Sequence, residues 1–235
     1  MRVISGVYWN TGVAKTVNED SVALEQVVTA RGRVIMAVVC DGSSGTAQGE
    51  VASGYAAEEA VKWFYIKGIK LIDRKSWRGR IGKSLTGLLI HIRREMIKYG
   101  QRKGVEMGVA VTIALLWRRH YQIVYMGKGH SFLCKRRLRM LSIHHGAPAW
   151  WTKWWITVRH QGTRIIRGRL ARNEGLLLCT DGFCDSIDPE RMAEVLYPRS
   201  IKTEVQIEAR LRTIAEYDMK QGETDNISAV YLKVM

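Results

Sequence analysis

The chain has little of what loosens or interrupts a fold. Its 235 residues include 3 prolines and no low-complexity run, a composition that argues against extensive disorder. It also lacks a long apolar run. The longest near-continuous one, Gly108 to Trp117, is about half of what a bilayer span needs, so no membrane partner is expected. The opening residues, MRVISGVYWN, lack the charge, long apolar core and small-residue site of a secretory leader. A cytoplasmic protein is the default expectation. The four cysteines, Cys40, Cys134, Cys179 and Cys184, have no CxxC spacing, so reduced core thiols are expected rather than a zinc site. Acidic residues are the scarcer charge: 22 Asp and Glu against 37 Lys and Arg leave a net charge of +15. The basic residues concentrate in Lys62 to Lys103 and Arg118 to Arg172. Such a surface suits nucleic acid or a phosphorylated partner. Zinc-finger spacing and an aromatic-basic RNA motif are both missing, which makes nucleic acid the weaker expectation.

The stretch that is most informative is Val34 to Glu50, VIMAVVCDGSSGTAQGE. Val34 to Cys40 is continuously apolar and rich in β-branched residues, the pattern of a strand buried on both faces. It stops at Asp41-Gly42, a pair suited to a tight turn, and a helical pattern follows from about Gly49. The arrangement recurs where Leu176 to Thr180 runs into Asp181-Gly182. A carboxylate on a glycine turn at the end of a buried strand is well placed to hold a metal ion.

Strands are predicted at Val3 to Tyr8 and Ser21 to Val28, with a hairpin turn at Arg31-Gly32. Helices are predicted over Gly49 to Ile66, with Val51, Tyr55, Ala56, Ala60, Trp63 and Phe64 near one face, and over Trp77 to Tyr99, stopped by Gly100. Val109 to Trp117, Gln122 to Met126, Ser131 to Cys134 and Leu138 to Leu141 read as an antiparallel meander. Strands at Arg164 to Arg169 and Leu176 to Thr180, helices at Pro189 to Leu196 and Thr203 to Met219, and a strand at Asn226 to Val234 complete the chain. No linker or repeat is visible, so residues 1–235 are expected to form a single domain of the α+β class.

The carboxylates at strand ends are Glu19, Asp20, Asp41, Asp181 and Asp225. Brought to one sheet edge they would repel one another unless hard cations neutralised them, and oxygen ligands suit Mg²⁺ or Mn²⁺. Singly, each is more often a turn residue; the joint pattern is what points to a metal site.

AVVCDGSSG, LLLCTDGFCD and ETDNISAVYL resemble the three metal-binding signatures of the metal-dependent serine/threonine protein phosphatases, the type 2C family. VNEDS, Val17 to Ser21, resembles its N-terminal signature, and GVAVTIALL its central strand. The motifs stand in the family's order and span nearly the whole chain. The resemblance implies a four-layer α-β-β-α sandwich with two antiparallel sheets flanked by helices. It implies hydrolysis of phosphoserine or phosphothreonine in proteins by a water activated between two Mn²⁺ or Mg²⁺ ions. By this carry-over Asp41 bridges both ions, Glu19 and the Gly42 carbonyl serve one, Asp181 and Asp225 serve the other, and Asp20 holds a metal-bound water. The implied partners are a phosphorylated protein substrate and a serine/threonine kinase or its targets.

Three departures stand out. Lys15 takes the place of an arginine that grips substrate phosphate, giving a point charge without the bidentate fork. Ser43 follows Gly42 where many members have a histidine proton donor, which leaves protonation of the leaving group to water. Lys128, in Gly127-Lys128-Gly129, replaces an aspartate that would help bind a third metal. Its ammonium either stands in for that cation beside the substrate or marks a degraded site or a misaligned turn. A catalytically weak or inactive protein of the same fold, binding a phosphoprotein through Lys15 and Lys128, is the alternative function. Gly82-Lys83-Ser84 lacks the preceding strand and first glycine of a phosphate loop. His144, His145 and His160 are expected as exposed loop residues, and Trp150 to Trp155 as the packing of a flap.

Overall fold

The computed structural model describes residues 2–30, 32–42, 48–72, 77–142 and 163–235, without the side chains of 77 and 78. Ser43, His144, His145, His160 and the tryptophan cluster lie outside the described residues. Along the chain run β1 (Val3–Asn10), β2 (Asp20–Thr29), β3 (Gly32–Gly42), α1 (Gly49–Trp63), α2 (Ile69–Ile72), α3 (Trp77–Lys103), β4 (Val109–Trp117) and β5 (His120–Met126). Then come β6 (His130–Cys134), β7 (Leu138–Met140), β8 (Arg164–Arg169), β9 (Gly175–Cys179), α4 (Pro189–Val195), α5 (Glu204–Lys220) and β10 (Ile227–Val234). They build two antiparallel five-stranded sheets, ordered β1-β10-β9-β6-β7 and β2-β3-β4-β5-β8.

Strand alternation makes the layers. In β3, Val34, Met36, Val38 and Cys40 point to a core shared with α1 and α3. Ile35, Ala37 and Val39, one residue out of phase, join the core between the sheets. In β10, Val230, Leu232 and Val234 face that same interior, while Ile227, Ala229 and Tyr231 face α4 and α5. The sequence of layers is helices, sheet, sheet, helices: the four-layer α-β-β-α sandwich of the α+β class. Helix ends follow local chemistry. The Asp188 carboxylate accepts from the Glu190 and Arg191 N–H groups ahead of Pro189, and Thr203 Oγ1 accepts from Gln206 N at 3.2 Å.

Several boundaries differ from those expected. The first helix closes at Trp63 and gives way to a π-helical segment, Phe64–Gly68, and α2. Its buried face is Ala52, Ala56, Ala57, Ala60 and Trp63, whereas Val51 is exposed. The second helix runs past Gly100 to Lys103. Gly104 is the residue with positive φ (+67°), and Val105 N–H closes back onto the Gly100 carbonyl at 3.0 Å, a Schellman stop one turn later. The expected meander is split between the sheets: β4 pairs with β5, but β6 and β7 belong to the other sheet beside β9. A hydrophobic pattern reports which faces are buried, not which sheet receives them. Gly82-Lys83-Ser84 lies inside α3, which removes the phosphate-loop reading.

Candidate active site

The two sheets turn polar on their inward faces at one end. In β2, Val22 and Leu24 pack into the inter-sheet core, and Asp20 is the next inward position. Asp20 sits opposite Asp41, which continues the inward series Ile35, Ala37, Val39. From the other sheet, Thr180 follows Leu176 and Leu178, and its hydroxyl lies 3.1 Å from Asp20 Oδ2. One antiparallel pairing and one strand end thus set carboxylates from distant parts of the chain in the mouth of the sandwich.

Close backbone approach holds the rest. Gly42 N–H donates to the Glu19 carbonyl at 3.0 Å. A Cβ on Gly42 would meet that oxygen at 2.6 Å, and one on Gly49 would meet Glu19 Oε1 at 2.6 Å. Gly42 is therefore required by the backbone carbonyls of Glu19 and Gly49, whereas at Gly49 the contact is with the Glu19 side chain alone. Asn226 clamps the loop between β1 and β2 onto the start of β10. Its Oδ1 accepts from Glu19 N–H at 2.9 Å, and its Nδ2 donates to the carbonyls of Thr11 (2.8 Å) and Val17 (3.2 Å). Asn18 Oδ1 accepts from Asp20 N–H at 3.0 Å, and Trp9 Nε1 donates to the Asp20 carbonyl at 2.9 Å. Asp181 opens the 3₁₀ turn after β9, where its Oδ1 accepts from Gly182 N–H at 3.0 Å.

The electrostatics are those of crowded carboxylates. Burial pushes Asp20 up to about 7, with the charges of Asp225 and Asp181 adding to it and hydroxyls of Ser228 and Thr180 opposing. Burial and the charges of Asp181, Asp20 and Asp225 hold Asp41 well above the usual carboxylate range. Asp181 is raised by burial and by Asp225 and Asp185. Two ammonium groups relieve the crowding. Lys15 Nζ lies 3.5 Å from Glu19 Oε2 and 3.4 Å from Asp225 Oδ1. Burial would lower its pKa, but those two carboxylates raise it on balance. Lys128 Nζ is 3.9 Å from Asp181 Oδ2.

Every residue singled out in the described part of the site is therefore in one neighbourhood: Lys15, Glu19, Asp20, Asp41, Gly42, Lys128, Asp181 and Asp225. The donor set is all oxygen. Burial and neighbouring carboxylates raise the proton affinity of Asp20, Asp41 and Asp181, and lysine ammonium groups lie against Glu19, Asp225 and Asp181. Both features fit a hard divalent cation. Sequence reasoning missed Asn226, Thr180 and Trp9, which hold the carboxylates rather than resemble ligands. Only Asn226 left a signal, as the partner of Asp225 in the ETDN motif.

Compared as sequences, the chain matches no described family and no curated protein. Compared as folds, it matches solved structures over its whole length. The serine/threonine phosphatase Stp1 from Staphylococcus aureus superposes with a TM-score of 0.80 at 18% identity, covering 100% of this chain and 96% of that one. The serine/threonine phosphatase of S. agalactiae gives 0.80 at 14% identity with full coverage of both chains. The catalytic domain of the serine/threonine protein phosphatase PstP, solved with 2 manganese ions, gives 0.75 at 18% identity and 99% coverage of both. The fold is that of these phosphatases.

Proposed function

On the premise of that shared fold, we propose that the chain is a metal-dependent hydrolase of phosphoserine and phosphothreonine in proteins. The observation that carries this reading is the convergence of Asp20, Asp41, Asp181 and Asp225, from both sheets, into a site where burial and neighbouring carboxylates raise the proton affinity of Asp20, Asp41 and Asp181. Glu19, Asp41 and the Gly42 carbonyl would hold one Mn²⁺ or Mg²⁺, and Asp41, Asp181 and Asp225 a second. Such cations supply Lewis-acid activation of a water and offset charge on the phosphoryl oxygens. Asp20, kept inside the cleft by Thr180 and raised to about 7, is suited to accept a hydrogen bond or a proton at its Oδ atoms near neutral pH. Lys15 and Lys128, already at the rim of the acidic cluster, are placed to contact the substrate phosphate as point charges.

The test is phosphate release from a phosphothreonine peptide across a Mn²⁺ titration, comparing wild type with Asp41→Asn. Turnover that requires Mn²⁺ and disappears in the variant is the expected result. Folded wild-type protein with no turnover at any Mn²⁺ concentration overturns it. That outcome would favour a phosphoprotein-binding protein of the same fold, a reading that the ion pairs of Lys15 and Lys128 with the proposed ligands favour. For Lys128 as an electrostatic stand-in for a third cation, Lys128→Ala is expected to lower turnover roughly ten-fold, about 1.4 kcal/mol. Unchanged turnover would reduce that lysine to a surface charge.

A further inference from the structure

Beside the carboxylate site stands a group of different chemistry. His130 opens β6 and pairs in register with Cys179 of β9. Cys184 and Asp185 follow the 3₁₀ turn that prolongs β9, and both of their N–H groups donate to the Asp181 carbonyl, at 2.8 and 2.9 Å. One ligand atom from each of His130, Cys184 and Asp185 lies within 4.8 Å of the others, the one such group of three among the described residues. In a tetrahedral zinc site with bonds of about 2.0–2.3 Å, neighbouring ligand atoms stand about 3.3–3.8 Å apart. Small side-chain movements would therefore close this group on an ion. His130 is buried, Cys184 half-buried and Asp185 exposed, so solvent reaches the group from the Asp185 side.

A second observation comes from α5. Asp218 is fully buried, and neither of its carboxylate oxygens has a hydrogen-bond partner. It belongs to the helix that packs on the Asp181–Phe183 turn. After burial itself, the groups that raise its pKa are Cys184, Glu223 and Asp185, all acidic. A buried carboxyl without donors or a cation nearby is costly, and a divalent ion on Cys184 and Asp185 would answer it.

We propose that His130, Cys184 and Asp185 form a binding site for Zn²⁺ or another borderline divalent transition-metal ion, with Asp218 behind it supplying compensating negative charge. Imidazole nitrogen and thiolate sulfur select this class of ion over Mg²⁺ and Mn²⁺, which prefer the all-oxygen set next door. Binding takes the thiolate and releases the Cys184 proton to solvent. Occupancy would tie the start of β6 to the turn that carries Asp181. The cysteine pattern gave no sign of the site because its ligands are three different residue types from separate strand ends.

The proposal goes beyond the phosphatase reading and does not rest on it, so the test uses no turnover. Metal-free Asp41→Asn protein, kept reduced, is titrated with Co²⁺ and followed by absorption. The expected result is a thiolate-to-cobalt charge-transfer band saturating at about one ion per chain, abolished by Zn²⁺ and untouched by equimolar Mn²⁺. Cys184→Ser is expected to lose the band, and His130→Ala to weaken binding at least roughly ten-fold. A folded protein without the band, or a band that survives in Cys184→Ser, overturns the proposal. If Cys184→Ser does not fold, alkylation of Cys184 in the wild type decides: Zn²⁺ is expected to slow it, and equal rates with and without Zn²⁺ would refute the site.

Discussion

At the scale of single residues, Asn226 does more than its neighbours of higher charge. One amide bonds the backbone of Thr11, Val17 and Glu19, so the position of Glu19 depends on it. Asn226→Ala is expected to cost on the order of 1–3 kcal/mol by urea denaturation and to weaken Mn²⁺ binding measured by calorimetry. Mn²⁺ affinity equal to wild type in the destabilised variant would make the clamp purely structural. Lys233 offers a pH test away from the site. It is fully buried in β10, its Nζ donates to the Ile201 carbonyl, and burial, with the charge of Lys202, lowers its pKa. The unfolded chain restores the ordinary lysine value, near 10.4. Between the lowered folded value and that one, the unfolded state binds more protons, so stability rises with pH across the window. Lys233→Met keeps the stem and removes the charge. Its stability advantage over wild type is expected to shrink from pH 7 toward pH 10.5; parallel stability curves would contradict the assignment.

At the scale of elements, α3 separates two glycines that look alike in sequence. Gly87 has open space where a Cβ would go, while a Cβ on Gly100 would meet the Val105 carbonyl oxygen at 2.5 Å. Gly87→Ala is expected to raise stability by about 0.5–1 kcal/mol, and Gly100→Ala to lower it, both read from denaturant midpoints. A gain in both would mean that the Schellman turn relaxes freely. The same helix shows what a sequence conveys. The spacing of Ile81, Leu85, Leu88, Leu89, Ile92, Met96 and Ile97 announced the helix; the first six are buried and Ile97 is half-buried. Gly100 attracted the stop although the turn requiring positive φ falls at Gly104. The strands were legible for the same reason as the helix, through which faces are apolar. Their division between two sheets was not, because β6 is selected by long-range pairing with β9, and no local period encodes that choice.

At the scale of the whole molecule, the site exists because two sheets end their inward faces together. Asp41 and Asp181 were legible as carboxylates on glycine turns after buried strands, their grouping with Glu19, Asp20 and Asp225 came from a shared place at strand ends, and resemblance supplied the role expected of each. The residues that hold them, Thr180, Trp9 and Asn226, were not legible as such, since their role exists only once β2, β9 and β10 are adjacent. This assembly sets stability against charge. Without cations, Asp20, Asp41 and Asp181 crowd one another, and the fold keeps their pKa values raised. Asp41→Asn removes one of these carboxylates together with the bridging ligand of the proposed metal pair. In EDTA at pH 8 the variant is expected to be at least as stable as wild type. With Mn²⁺ at a hundred times its dissociation constant, wild type should gain about 2.7 kcal/mol by mass action, and the variant much less. The order of the two proteins' melting temperatures then inverts on adding metal. An Asp41→Asn protein that is less stable in EDTA and gains as much from Mn²⁺ as wild type would show that the carboxylates are held apart for packing, and that Asp41 is no ligand.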